Sequence, residues 1–299
     1  MRDSHQLIRL PPRPIPSSIP ADEKVFAIGD VHGRADALRF CLADIAARPR
    51  MKGVRRRVIF LGDLLDRGPA SLQAVNLAVR AKELARADEA LLLPGNHELM
   101  YADAVAGMPS LWLMNGGMDV MQEVDQNWRD LSWADAMRAV ERSMPAGFTD
   151  HIHRAPSHLV VGDILFVHAG LDPDAPPDAH LERRRPHADN DLHWAWIRRS
   201  FLEWSGGWTW DAATSRYGWG RTLVVHGHSP AIIHPLSASR SSLAGCDSVD
   251  GLRRVCLDAG SARLDQIAWA HFYRREETTM LQISAAAAIP QVDPSDLFF

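Results

Sequence analysis

Cysteine is scarce in this sequence: three occur among 299 residues, at Cys41, Cys246 and Cys256. An odd number of widely spaced cysteines argues against a disulfide framework and favours a reducing compartment. We therefore expect the thiols to be small, buried, apolar side chains.

Long apolar runs and a strong net charge are also absent. No apolar stretch approaches the roughly 20 residues that cross a bilayer, and residues 1–20 lack the apolar centre of a secretory signal. The formal net charge of -4 gives no electrostatic reason to expect nucleic acid or an anionic membrane as a partner. We expect a cytoplasmic protein that binds neither.

Apolar residues make up 46% of the chain, enough for a sizeable core. Five prolines between positions 5 and 20 predict an extended arm over residues 1–22 with little core of its own. We expect one domain over residues 23–285, with regions 108–156 and 171–221 covering a site as insertions, and a loose tail over residues 286–299.

A strand, turn and helix pattern repeats in the first third of the chain. We predict strands at 25–28, 57–61 and 90–93, with helices at 35–47 and about 70–86 following the first two. Asp30, Asp63 and Asn96 follow the three strands at intervals of 33 residues, about one βαβ unit. Parallel neighbouring strands would place all three at one sheet edge, where ligands bind in open α/β sheets.

Further elements are predicted after this region. The pattern indicates helices at 133–143 and 192–204, and strands at 158–161, 164–167, 222–225, 232–233, 254–257, 266–271 and 279–283. Gly162-Asp163 is typical of a hairpin turn between two of these strands.

Polar motifs stand at five of the strand ends. They are Gly29-Asp30-Val31-His32-Gly33, Gly62-Asp63-Leu64-Leu65-Asp66-Arg67-Gly68, Gly95-Asn96-His97-Glu98, His168-Ala169-Gly170 and Gly227-His228-Ser229-Pro230. Each Asp or Asn could instead be a helix N-cap, but N-caps do not require the accompanying histidines. The candidate ligands are all oxygen or nitrogen atoms, which suits Mn²⁺, Fe²⁺ or Zn²⁺. The six candidate ligands are Asp30, His32, Asp63, Asn96, His168 and His228. Six are too many for one small ion that must keep an open coordination position, which favours two ions.

With these motifs the chain resembles the calcineurin-like metallophosphoesterases, specifically the phosphoprotein phosphatase family. The match is to its bacterial and phage branch, which is related to the symmetrical diadenosine tetraphosphatases, and it runs from about residue 25 to residue 258. The resemblance implies an α/β fold in which two mixed β-sheets pack as a sandwich flanked by α-helices.

The resemblance also implies a dinuclear metal centre. Asp30, His32 and Asp63 would hold the first ion, and Asp63 would bridge to a second. The second ion would be held by Asp63, Asn96, His168 and His228. Mn²⁺ is the expected metal, with Fe²⁺ and Zn²⁺ as alternatives.

The same resemblance assigns catalytic and substrate-binding roles. His97 would be the general acid for the leaving alkoxide, and Asp66 would orient its ring. The guanidinium groups of Arg67 and Arg198 would bind the phosphate, with Asn96 and Asn115 also near the substrate. Asp258 is expected to be structural.

These expectations lead to two related activities. The first is hydrolysis of phosphomonoesters, with phosphoserine or phosphothreonine in proteins, phosphotyrosine or a smaller phosphoester as the substrate. The element Trp112-Leu113-Met114-Asn115-Gly116-Gly117 matches the bacterial and phage phosphatases and favours this activity. The alternative is a symmetrical dinucleoside tetraphosphatase.

Two other functional hypotheses, a nuclease and a non-catalytic binding module, are disfavoured. Nucleases of the wider superfamily tend to carry a second histidine where this chain has Ser229-Pro230. A catalytically silent binding module would be expected to have lost a ligand or the acid, and none is missing. The Arg183-Arg184-Arg185 run is typical of a solvated face, and the alternative is that its charge attracts an anionic substrate. The tryptophans from Trp194 to Trp219 are typical of packing, and the alternative is that they form a cleft wall beside the site.

Overall fold

A computed structural model of the chain describes residues 5–182, 191–204, 222–230 and 253–289, together with the backbone of 209–211, 216–218 and 246–247. The predicted strand at 232–233, the arginine run at 183–185, Trp208, Trp219 and residues 290–299 of the predicted tail lie outside the described residues.

The larger sheet is mixed and contains seven strands in the described residues. The strand order is β1-β14-β13-β3-β4-β5, and β2 pairs with β14 from Thr279 to Leu281. The strands are β1 (His5–Arg9), β2 (Arg13–Ile15), β3 (Glu23–Ile28), β4 (Arg55–Phe60), β5 (Glu89–Leu92), β13 (Gln266–Arg275) and β14 (Thr278–Ala288). Strands β3, β4 and β5 run parallel, as the repeating pattern predicts.

The second sheet has the order β11-β12-β10-β7-β6. Its strands are β6 (His158–Val161), β7 (Ile164–Val167), β10 (Leu223–His226), β11 (Cys246–Asp247) and β12 (Arg254–Cys256). Strand β10 lies parallel to both β7 and β12, and β6 and β7 form the predicted hairpin. A separate pair joins β8 (Thr209–Asp211) and β9 (Arg216–Gly218).

Helices follow the strands and form the insertion between β5 and β6. They are α1 (Ala35–Ala47), α2 (Ser71–Val79), α3 (Ala81–Leu84), α4 (Asn96–Val105), α5 (Ser110–Trp112), α6 (Met118–Val124), α7 (Trp133–Ser143), α8 (Phe148–Arg154), α9 (Pro177–Leu181) and α10 (Arg199–Glu203). A π-helical turn, Leu113–Gly117, joins α5 to α6. None of the helices in the described ranges is long and apolar enough to cross a membrane.

Alternate side chains of the strands form the apolar layer between the two sheets. Val25 of β3 and Phe166 of β7 belong to the apolar layer between the two sheets. Their neighbour residues, Phe26 and Leu165, point to the opposite faces, where helices cover them. Successive side chains of a strand point to opposite faces, so a strand buried on both sides reads as a continuous apolar run. The expected two-sheet α/β sandwich is confirmed.

Several local predictions differ from the structure. The helix predicted over 70–86 is two helices, because the backbone at Arg80 (φ -91°, ψ 5°) ends α2. The helix predicted over 192–204 is reduced to Arg199–Glu203. Turns replace its first half, where the Trp194 carbonyl accepts a hydrogen bond from the Ala169 N–H.

The two ends of the described chain pair with each other. The proline-rich segment is extended, and β1 pairs in register with β14 from Ser284 to Ala288. Residues 286–288, predicted as part of a loose tail, therefore belong to a strand. The described cysteines Cys41 and Cys256 are both buried, as predicted.

Candidate active site

The candidate site lies where the carboxyl ends of β3, β4, β5, β7 and β10 meet. Asp30, Asp63 and Asn96 follow three parallel neighbours of the larger sheet, while His168 and His228 follow two parallel neighbours of the second. All five side chains are buried. The edge of each sheet thus contributes to one polar cluster.

The turns that carry these side chains hold an unusual backbone conformation. His32 (φ 43°), Asp63 (φ 54°) and His228 (φ 65°) lie in the left-handed region, which costs a non-glycine residue about 1–3 kcal/mol. Hydrogen bonds hold the turns in place. The backbone N–H groups of Val31 and His32 both donate to the Asp63 carbonyl, at 2.9 and 2.8 Å.

The first candidate ligand group is built around His32. Its Nδ1 donates to the Leu65 carbonyl at 3.1 Å, so the lone pair of Nε2 is free to face the carboxylates. Nε2 lies 3.6 Å from Asp63 Oδ2 and 4.0 Å from Asp30 Oδ2.

The second candidate ligand group is built around His168 and Asn96. His168 Nδ1 donates to the Leu61 carbonyl at 2.8 Å, which leaves a lone pair on Nε2. That Nε2 lies 3.0 Å from Asn96 Oδ1 and 3.4 Å from Asp63 Oδ1. His228 Nδ1 lies 3.0 Å from the same Asn96 oxygen. Asp63 therefore presents one oxygen to each group.

These distances fit divalent cations. Because metal–ligand bonds to nitrogen and oxygen are about 2.0–2.2 Å, neighbouring ligand atoms in tetrahedral or octahedral sites lie about 3.0–3.5 Å apart. The nitrogen of His168 and the oxygen of Asn96 face each other with lone pairs and no shared proton, an arrangement that a cation between them stabilises. The donor set of oxygen and nitrogen without thiolate suits Mn²⁺, Fe²⁺ or Zn²⁺.

Burial gives the cluster a strong electrostatic demand for positive charge. It raises the pKa values of Asp30 and Asp63 well above their usual range, and neighbouring carboxylates raise them further. It lowers the pKa values of His32 and His168 to about 3, so both rings are neutral near pH 7. A bound cation is the usual solution for buried carboxylates and neutral imidazoles in contact.

His97 lies close to His32 and Asp63 of the first candidate group and also contacts the Asp66 carboxylate. Within the described chain, two sets of three side chains present ligand atoms within 4.8 Å of one another: His32, Asp63 and His97, and Asp63, His168 and His228. The first set contains His97 where the resemblance implies Asp30. His97 Nδ1, however, donates to Asp66 Oδ2 at 2.6 Å. Its Nε2 is buried with no hydrogen-bond partner among the described residues.

The two predicted arginines both lie at the rim of the cluster. Arg67 is exposed, and its Nε donates to the Asn115 carbonyl at 3.2 Å. Arg198 is exposed as well, and its Nη1 donates to the His228 carbonyl at 2.8 Å. Burial raises the pKa of Asp258 to about 6, and the charges of Arg198 and Arg67 keep it from rising further. The two predicted phosphate-binding residues, which belong to different elements, therefore both act electrostatically on this carboxylate.

Asn115 lies beside Arg67, and two hydrogen bonds fix its position. Its side-chain amide donates to the Leu111 carbonyl at 2.8 Å, one turn back along its own helix. Its backbone carbonyl, and not its side chain, reaches Arg67.

Three supporting residues received no role from the sequence. Glu98 accepts hydrogen bonds from the backbone N–H groups of Asp63, Leu64 and Gly95. Trp112 donates to Asp66, and the Trp196 carbonyl accepts from His228 Nε2 at 3.1 Å. Glu98 and Trp112 both belong to motifs that we quoted, so position within a motif was the available signal. The Trp196 carbonyl has no sequence signal.

Comparisons with known proteins agree on the type of domain. The chain is 37% identical over 94 residues to serine/threonine-protein phosphatase 1 of Salmonella typhimurium, a match that covers 31% of this chain and 38% of that protein. It is 30% identical over 159 residues to the symmetrical bis(5'-nucleosyl)-tetraphosphatase of Paracidovorax citrulli, covering 53% and 48% of the two chains. The chain thus spans about half or less of the length of these two relatives.

A structural superposition and a family model each cover more of the chain than these two relatives do. A crystal structure of a cold-active protein tyrosine phosphatase superimposes with a TM-score of 0.51 at 15% identity, covering 86% of this chain and 77% of that one. Such low identity shows the fold alone. The family model described as calcineurin-like phosphoesterase matches residues 23–275. This range contains the second sheet, strands β3, β4, β5 and β13 of the larger sheet, and all the residues of the two candidate groups. The chain therefore belongs to the calcineurin-like phosphoesterase family.

Proposed function

We propose that this protein is a dinuclear metal-dependent phosphatase that hydrolyses phosphomonoesters. Its substrates in this proposal are phosphoserine and phosphothreonine in proteins, with phosphotyrosine or a small phosphoester as the nearest variants. The observation that carries the proposal is Asp63, which presents one oxygen to each ligand group, beside the hydrogen-bonded pair of His97 and Asp66.

The metal-holding residues follow from the two groups. Asp30, His32 and Asp63 would hold one ion, and Asp63, Asn96, His168 and His228 the other. Two divalent cations, Mn²⁺ in this proposal, would supply Lewis-acid chemistry at these residues, with a more acidic water and neutralised charge on the phosphoryl oxygens.

His97 acts as the acid for the leaving oxygen. Burial raises the pKa of Asp66 well above its usual range and lowers that of His97 well below. The protonated pair exists either as imidazolium with carboxylate or as neutral imidazole with carboxylic acid. In both forms Nε2 carries a hydrogen, because Nδ1 is engaged with Asp66. The proton can therefore be donated from Nε2 to the leaving alkoxide.

The arginines bind and orient the phosphoryl group. Arg67 and Arg198 are exposed at the rim, and a guanidinium donates two parallel hydrogen bonds to a phosphate. Arg67 Nε donates to the Asn115 carbonyl, and Arg198 Nη1 donates to the His228 carbonyl and to Ser229 Oγ. The other guanidinium nitrogens of both arginines have no hydrogen-bond partner among the described residues and would donate to the substrate.

Hydrolysis of p-nitrophenyl phosphate and of a phosphoseryl peptide by EDTA-treated protein, with and without Mn²⁺, tests the proposal. We expect turnover of both substrates that depends on Mn²⁺ and is abolished by EDTA. Folded protein that binds Mn²⁺ and hydrolyses neither substrate would overturn it.

A second candidate is a symmetrical dinucleoside tetraphosphatase. It is favoured by the 30% identity to the Paracidovorax citrulli tetraphosphatase, which covers more of this chain than the match to phosphatase 1. Incubation with diadenosine tetraphosphate distinguishes the two candidates. Release of ADP with a larger kcat/KM than that for the phosphoseryl peptide would favour the tetraphosphatase.

A further inference from the structure

The insertion between β5 and β6 sends one buried tryptophan into the catalytic region. Trp112 ends α5 and is fully buried. Its indole Nε1 donates to both oxygens of Asp66, at 3.0 Å to Oδ1 and 3.1 Å to Oδ2. Asp66 is the same carboxylate that accepts the hydrogen bond from His97 Nδ1.

The tryptophan ring is held tightly in this orientation. A Cβ at Gly117 would lie only 2.4 Å from the Trp112 ring, so this position of the π-helical turn requires glycine. The Tyr101 ring packs against the indole edge to face, with centroids 5.5 Å apart. The indole N–H is therefore fixed in the direction of Asp66.

Asp66 has few other means of holding its orientation. In the described residues two side chains donate to its carboxylate, Trp112 and His97. Its own backbone is in the left-handed region, with φ 73°. A buried carboxylate that loses one of two donors leaves an acceptor unsatisfied and is free to rotate away from the second.

We infer that Trp112 is a positioning residue, which holds Asp66 so that His97 Nε2 faces the leaving oxygen of the substrate. The inference rests on the proposed function, because it assigns Trp112 a role in the protonation step of that reaction. It concerns orientation and not packing: the indole N–H, rather than the volume of the ring, is the functional group.

The same turn also holds the neighbouring arginine. Asn115, three residues after Trp112, accepts the hydrogen bond from Arg67 Nε through its carbonyl. A Cβ at Gly116 would lie 2.9 Å from Arg67 Cγ and 3.1 Å from Asp66 Cβ. The turn thus contacts both members of the Asp66-Arg67 pair.

Trp112→Phe removes the N–H while keeping an aromatic ring, and Trp269→Phe is its matched control. Trp269 is fully buried in the same apolar cluster, and its indole nitrogen has no hydrogen-bond partner among the described residues. Both variants therefore lose similar volume, but only Trp112→Phe loses a hydrogen bond.

The readout is the dependence on leaving group. A protonated imidazole matters for the alkoxide of phosphoserine and much less for the p-nitrophenolate ion. We expect Trp112→Phe to lower kcat on a phosphoseryl peptide about tenfold or more and to change kcat on p-nitrophenyl phosphate less than about twofold. Trp269→Phe should change both rates equally. In a His97→Ala background, Trp112→Phe should cause no further loss.

Equal losses on both substrates for Trp112→Phe, no loss on either, or an additive loss with His97→Ala would overturn the inference. Should Trp112→Phe not fold, 3-benzothienylalanine at position 112 keeps the ring shape and replaces the N–H with sulfur, and the same selective loss is expected.

A further measurement separates this inference from the proposed function. In metal-free protein the indole N–H resonance of Trp112, assigned by its absence in Trp112→Phe, should shift in Asp66→Asn. Its failure to shift would overturn the positioning contact whatever the activity. Wild-type protein that hydrolyses neither phosphoester while this resonance does shift would contradict the proposed function and leave the contact established.

Discussion

Glu98 supports Asp63 from behind: its Oε2 accepts a hydrogen bond of 2.7 Å from the Asp63 backbone N–H. The same carboxylate accepts from Leu64 and Gly95. It thereby fixes the left-handed turn that aims the Asp63 side chain at both ligand groups. The hydrogen bond from Asp63 to Glu98 explains how Asp63 keeps a left-handed backbone although it is not a glycine.

Glu98→Gln should weaken both folding and metal binding. The amide nitrogen cannot accept a hydrogen bond, so at least one buried N–H is left unsatisfied, at a cost of about 1–3 kcal/mol in the free energy of unfolding. Denaturant titration and Mn²⁺ calorimetry measure the two effects. Glu123→Gln is the control, since Glu123 accepts from Ser71 and Leu72 in the same manner but lies outside the ligand groups. It should lower stability and leave Mn²⁺ affinity unchanged.

Asp63→Asn should reduce affinity for both metal ions. Its two oxygens face separate groups, and loss of the charge affects both. We expect calorimetry to show at least about 100-fold weaker Mn²⁺ binding, beyond the effect typical of outer-shell changes. Asp172→Asn, at a buried acid outside the two groups, should bind Mn²⁺ like wild type. Loss of one ion with unchanged affinity for the other would argue against a bridging role.

His97→Ala should separate chemistry from metal binding. We expect kcat on a phosphoseryl peptide to fall about 10²- to 10⁴-fold, with a much smaller loss on p-nitrophenyl phosphate and unchanged Mn²⁺ affinity. His153→Ala, at an exposed position, should have no effect. A large loss of Mn²⁺ affinity would instead make His97 a ligand.

Arg198→Ala should act mainly on substrate binding. Because a guanidinium binds phosphate through two parallel hydrogen bonds, we expect KM and the inhibition constant of inorganic phosphate to rise about tenfold or more. Arg198→Lys should recover little of this, since an ammonium lacks the planar fork. Arg199→Ala is the adjacent control, because Arg199 pairs with Glu203 on the surface. Equal KM values for both alanine variants would exclude a role in phosphate binding for Arg198.

His271 should make stability depend on pH away from the site. Burial, followed by the charge of Arg48, lowers its pKa to about 3, so the folded state resists a proton that the unfolded state binds below pH 6.5. Stability must therefore fall as pH drops from 6.5 towards 3, and this group contributes about 2 kcal/mol of loss between pH 7 and pH 5.

His271→Phe keeps the stacking on Phe26, whose ring centroid is 4.2 Å away, and removes the titrating group. Denaturant unfolding of metal-free protein at pH 7 and pH 5 should show a smaller loss of stability for the variant by about that amount. Equal losses in the two proteins would contradict the prediction.

Much of the architecture could be predicted because its signals are local. The run Val25 to Ile28 is apolar and short, and a glycine and an acid end it, so the strand and the ligand turn are both readable. The helix Ala35–Ala47 is observed with the predicted bounds. The helix expected over 192–204 was wrong in its first half, since backbone contacts with the His168 turn outweigh its apolar periodicity.

The site shows the same division. Resemblance placed the six candidate ligands and His97 in order along the chain, and the structure brings their side chains together in one cluster. It could not show that the Asn115 side chain turns towards Leu111, because side-chain direction depends on the path of the π-helical turn. Nor could it show that β1 pairs with β14, a contact between residues about 280 positions apart.

The sequence by itself determined which polar residues end which strands, because apolar alternation and turn chemistry act over a few neighbouring residues. Only the tertiary structure decided that Glu98 holds Asp63 and that Trp112 holds Asp66. It also decided that the two oxygens of the Asp63 carboxylate face different candidate groups. Those contacts depend on how two sheets and an inserted helical region close on one another, and long-range packing of this kind leaves no periodic trace along a chain.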